Sequence, residues 1–110
     1  MTDGKLVRDR IPEIIRARGE KPTVHTVDGD RLFDALIAKL SEEAQELRRA
    51  PQAHQVEELA DLVEVIRGLA AHLGIDPQNL EVVTASKREE RGGFTQGLWL
   101  EMESSPNDLP

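Results

Sequence analysis

Between residues 30 and 49, apolar side chains return every three or four positions: Leu32, Leu36, Leu40, Ala44 and Leu47. That spacing predicts an amphipathic helix, with Asp30 as its N-cap and Ala50-Pro51 as its stop. A second run, residues 52–73, is broader. Val56, Leu59, Ala60, Val63, Ile66, Leu69, Ala70 and Leu73 form a wide apolar stripe, and Leu62 widens it further. Gly74 marks its end. The connection between the two runs is short, so the helices are expected to pack antiparallel. A shorter helix is predicted over residues 11–18, with Pro12 in its first turn and Gly19 as its stop. A fourth follows Asp76-Pro77 and ends before Gly92-Gly93. Asp28-Gly29 is a turn signal. Two segments, 23–27 and 97–102, have the β-branched or apolar character of short strands and are candidates to pair with each other.

The predicted fold is therefore all-α: a helical bundle of about four helices with two long antiparallel ones, and at most a small two-stranded β element. The apolar arc of the third helix is wider than one partner helix covers. Completion by oligomerisation, as a homodimer at least, is expected. Residues 1–103 read as one domain, and residues 104–110 as a disordered tail.

Composition narrows the classes. The 110 residues carry a net charge of -7, which argues against a broad nucleic-acid or membrane-binding surface. A phosphate substrate stays open, because a bound cation reverses the sign of a small site. The chain has no cysteine, so disulfides and thiolate metal sites are excluded. No apolar run approaches transmembrane length, and the start of the chain lacks the apolar stretch of a signal peptide. A cytoplasmic location is expected. With Phe33, Phe94 and Trp99 as the only aromatic residues, the core is expected to be aliphatic, with Phe94 and Trp99 as packing residues.

The chemically informative feature is a set of carboxylates on the two long helices. Glu43 and Glu46 are three apart on one; Glu58 and Asp61 are three apart on the next. Each pair shares a helix face beside apolar positions. On antiparallel neighbours the pairs can face each other across a groove. Four carboxylates so placed repel one another without a cation, and hard divalent ions such as Mg²⁺ prefer oxygen ligands shared with phosphates. Taken singly, each Glu reads as a solvated helix face, as Glu64 and Glu81 do.

The arrangement resembles the signature of the all-α nucleotide pyrophosphohydrolases, the superfamily of MazG and phosphoribosyl-ATP pyrophosphohydrolase. Its E-E-x-x-E is matched by Glu42, Glu43 and Glu46, and its E-x-x-D by Glu58 and Asp61. Residues 5–12, KLVRDRIP, resemble the opening of the phosphoribosyl-ATP pyrophosphohydrolase-like branch, and residues 87–94, KREERGGF, its closing motif. The resemblance implies Glu43, Glu46, Glu58 and Asp61 as ligands of Mg²⁺ (or Mn²⁺). It implies a water-positioning role for Glu42, basic contributions from Lys39, Lys87 and Arg91, and dimeric or larger assemblies.

A metal-bound triphosphate carries charge that the metal leaves uncancelled, and Arg and Lys can take it up. Lys87 and Arg91 share a helical face; their plainer reading is helix-dipole compensation. Arg8 and Arg10 are candidate substrate contacts whose plainer reading is a surface ion pair with Asp9 or Glu13. Lys5 is a similar, weaker candidate. His25, His54 and His72 show no ligand spacing and read as surface or structural. The implied reaction is hydrolysis of a nucleoside triphosphate, altered nucleotides included, to monophosphate and pyrophosphate. Alternatives are phosphoribosyl-ATP pyrophosphohydrolase of histidine biosynthesis and a non-catalytic acidic helical interaction module.

Overall fold

The computed structural model describes residues 4–101. In chain order they form α1 (Ile11–Ala17), α2 (Gly29–Arg49), a 3-10 turn (Gln52–His54), α3 (Gln55–His72) and α4 (Pro77–Arg91). The fold is all-α. No strand is present among the described residues, which corrects the expected two-stranded element: residues 23–27 and 97–101 are irregular. Two short β-branched stretches have no wider sheet to bury their faces, and strand character depends on such a surface. Met102 and the expected tail, 104–110, lie outside the described residues.

The chain divides into two compact units, residues 1–77 and 78–110. The first is built on the α2–α3 pair. Its register runs antiparallel. The Phe33 and His72 rings meet with centroids 6.0 Å apart. Leu36 lies against Gly68, and Glu43 stands near Asp61. Gly68 permits the close approach, since a Cβ there would sit 3.2 Å from Leu36 Cδ2. A helical glycine costs about 0.5–1 kcal/mol relative to alanine; packing of α2 on α3 offsets that cost. The core is thin: Leu36, Val65 and Ala70 are its buried apolar residues among those described.

Local chemistry sets the helix ends. α2 begins at Gly29, and Asp28 rather than the expected Asp30 occupies the cap position, with extended backbone. The Leu32 N–H donates to the Asp28 carbonyl at 3.1 Å. Asp30 thus falls in the first turn, where its charge suits the helix dipole. The 3-10 turn closes with the His54 N–H donating to the Pro51 carbonyl at 2.9 Å, so α3 starts at Gln55 rather than at residue 52. Gly74, at φ +70, ends α3 in a Schellman arrangement. There the Ile75 N–H donates to the Ala70 carbonyl at 2.8 Å and the Gly74 N–H to Ala71 at 3.1 Å.

The second unit contains nearly all of α4, a helix with no buried residue. The expectation that Phe94 and Trp99 are packing residues is not met among the described residues of this unit, where they are 98% and 87% exposed. So short a unit cannot assemble a core of its own.

Candidate active site

Helical spacing and the antiparallel register together place Glu43 on α2 against Glu58 and Asp61 on α3. Carboxylate oxygens from these three residues lie within 4.8 Å of one another. Glu43 is buried and Glu58 and Asp61 are half-buried. Glu46 is outside this triad but near enough to act on Glu58 electrostatically. Desolvation, then the charges of Asp61, Glu43 and Glu46, and a hydrogen bond with Glu43, raise the Glu58 carboxyl from its ordinary value. Such crowding of negative charge is the condition a hard cation relieves. The donor set is all oxygen, which fits Mg²⁺ or Mn²⁺ rather than a thiophilic metal.

Cations of the chain already engage this cluster. Lys39, one turn before Glu43, places its Nζ 3.4 Å from Glu43 and 3.8 Å from Glu42. Lys5 reaches Glu42 at 3.8 Å. Arg8 donates from Nη2 to Asp61 Oδ1 at 2.6 Å. Arg10 does not join them; it pairs with Glu13 at 3.4 Å, the plainer reading of that residue. Thus, of the two alternating arginines, only Arg8 points its guanidinium at the groove.

Arg49 was not a sequence candidate. It pairs with Glu46 at 3.8 Å. With His54, Pro51 and Glu58 it borders an open concavity of about 240 Å³ beside the carboxylates. Its position three residues after Glu46 is the signal that could have found it. His54 contacts Glu57 at 3.3 Å, and His72 stacks near Phe33, in keeping with structural roles.

Lys87 and Arg91 lie on α4, in the second unit. There they share a concavity of about 570 Å³ with Arg88, Gly92, Gly93 and Phe94. Arg88, three residues before Arg91 and so on its helix face, was not a sequence candidate.

A two-helix groove lined by opposed carboxylates and rimmed with Lys and Arg defines the class: an all-α protein suited to metal-assisted phosphate chemistry. Comparison with known families specifies it. A family model for phosphoribosyl-ATP pyrophosphohydrolase matches residues 10–88, and the chain belongs to that family. An uncharacterized protein of Mycolicibacterium smegmatis is 56% identical over 46 residues, 42% of this chain and 47% of its own length. The chain thus spans about half the length of that curated relative. No solved structure matches the chain significantly. The family is named for a pyrophosphohydrolase.

Proposed function

We propose that this protein is a Mg²⁺-dependent pyrophosphohydrolase, with Mn²⁺ as a working substitute, that cleaves a nucleoside triphosphate to monophosphate and pyrophosphate. The observation that carries the reading is the gathering of Glu43, Glu58 and Asp61 within 4.8 Å, with Lys39 at 3.4 Å from Glu43. Glu43, Glu58 and Asp61, with Glu46 beside them, would hold the cation. A divalent ion bound there supplies Lewis acidity and lowers the pKa of bound water.

The chain's own residues do the rest. Glu42 holds the attacking water. The water oxygen bonds to the α phosphorus while the α–β bridge breaks; the bridging electron pair leaves on pyrophosphate, and the water's proton is released to solvent. Lys39 and Arg8 take up charge on the phosphate oxygens, a load best carried by groups already in place. Lys87 and Arg91 are proposed phosphate contacts on the family resemblance; Arg10, engaged with Glu13, is left out. Altered nucleotides are included among the substrates, and a cytoplasmic location belongs to the same proposal. Among the described residues no helix is long and apolar enough to cross a membrane.

The test is pyrophosphate release from a panel of normal and altered nucleoside triphosphates, with wild type and Glu43→Gln. Cation-dependent release that Glu43→Gln abolishes supports the proposal; its absence on every nucleotide rejects it. The family match favours a second reading, phosphoribosyl-ATP as substrate. Rescue of a histidine auxotroph lacking that enzyme would select it. Engagement of Lys39 with the acidic groove speaks against a merely acidic interaction module.

The apolar stripe on α3 supports a homodimer. Val56, Leu59, Val63, Ile66 and Leu73 repeat at helical spacing, and all are exposed, Val56 at 71%. Contiguous apolar surface on a helix face marks an association site.

A further inference from the structure

We propose that Arg8 is a displaceable counter-ion of Asp61. It holds that carboxylate until a divalent cation claims it, then turns to the polyphosphate, so that cation and nucleotide bind cooperatively. The inference rests on the pyrophosphohydrolase reading and deepens it by naming the form in which substrate is taken: the cation–nucleotide complex in preference to free nucleotide.

Arg8 lies in the non-helical segment before α1, and its partner is 53 residues away on α3. The same segment contacts α2, where Lys5 reaches Glu42 at 3.8 Å. Residues 5–8 therefore join both walls of the acidic groove through ion pairs. At 2.6 Å the Arg8–Asp61 contact is a short, charge-assisted hydrogen bond. It occupies an oxygen of a residue in the carboxylate triad, and a guanidinium beside that oxygen opposes an arriving cation. The Arg8 side chain is 56% exposed, so solvent screens the pair and lets the guanidinium leave at small cost. Once free, its planar fork suits phosphate oxygens. Lys39, only 18% exposed and beside Glu43, has less room to move, which singles out Arg8 as the exchanging group. A polyphosphate that draws Arg8 away frees Asp61 for the cation. By linkage, the cation strengthens polyphosphate binding by the same factor.

Mn²⁺ alone, titrated into the full-length wild type, Arg8→Gln and Arg8→Lys, gives a readout independent of turnover, with free ion measured by electron paramagnetic resonance. Arg8→Gln is expected to bind Mn²⁺ about fivefold more tightly, the upper end for an exposed ion pair, and Arg8→Lys to stay near wild type. With a non-hydrolysable nucleoside triphosphate analogue present, wild type should gain Mn²⁺ affinity and Arg8→Gln should gain less. Equal or weaker Mn²⁺ binding by Arg8→Gln overturns the displacement and leaves the metal site standing. If none of the three proteins binds Mn²⁺ with or without the analogue, the pyrophosphohydrolase reading falls and this inference falls with it.

Discussion

Leu36 and Gly68 set the separation of the two helices that carry the carboxylates. Leu36 Cδ2 comes so close to α3 that a Cβ on residue 68 would lie 3.2 Å from it. Alanine there asks the end of the Leu36 side chain to give by a few tenths of an ångström, and helix propensity returns about 0.5–1 kcal/mol. Gly68→Ala is therefore expected to change stability by less than about 1 kcal/mol. Gly68→Val adds a branched side chain and is expected to cost about 1–3 kcal/mol through overpacking. It should also spread Glu43 from Asp61 and weaken Mn²⁺ binding. Urea denaturation and Mn²⁺ titration of both variants check the two parts.

The thin core makes its members individually costly to truncate. Leu36 is one of three buried apolar residues among those described. Leu36→Ala should destabilise by about 2–5 kcal/mol. Set against a total of about 5–15 kcal/mol for a typical domain, that is a large share. Denaturant midpoints at constant slope would show it.

Glu58 gives the protein a pH signature. Its carboxyl is raised from an ordinary value of 4.5 by desolvation and by Asp61, Glu43 and Glu46. The folded state therefore holds this proton more tightly than the unfolded state does. Its contribution to stability is fully present below 4.5 and is lost as pH rises through the elevated folded value. Above that value the ionised group opposes folding. Glu58→Gln should then raise the melting temperature relative to wild type at pH 7, with the difference shrinking toward pH 4.5. A divalent cation should stabilise wild type at pH 7 and should stabilise the variant less. Thermal melts across that pH range, with and without Mg²⁺, test both.

Arg10 is the control for Arg8. It pairs with Glu13 on the surface, with both side chains more than half exposed. Arg10→Ala should shift stability by less than about 1 kcal/mol, as exposed pairs do, and leave Mn²⁺ affinity unchanged.

The exposed stripe of α3 predicts that a charge at its middle blocks self-association. Val63→Glu should sediment as a monomer where wild type sediments as a dimer. Retention of wild-type helicity by circular dichroism would show that the variant still folds.

What the sequence determined by itself was the periodic part of the protein. Leu32, Leu36 and Leu40 on one helix and Leu59, Leu62 and Ile66 on the other specify two amphipathic helices, because a spacing of three or four puts residues on one face. The same rule put Glu43 with Glu46 and Glu58 with Asp61. Tertiary structure decided how those faces meet. The register that seats Leu36 on Gly68 brings Glu43 to Glu58 and Asp61 and leaves Glu46 outside the 4.8 Å triad. It also separated two arginines that look equivalent in sequence, sending Arg8 to Asp61 and Arg10 to Glu13. Residues 23–27 remained irregular despite their β-branched side chains. The reason is common to all three: periodicity is a property of one segment, whereas contact between segments depends on packing distance and register.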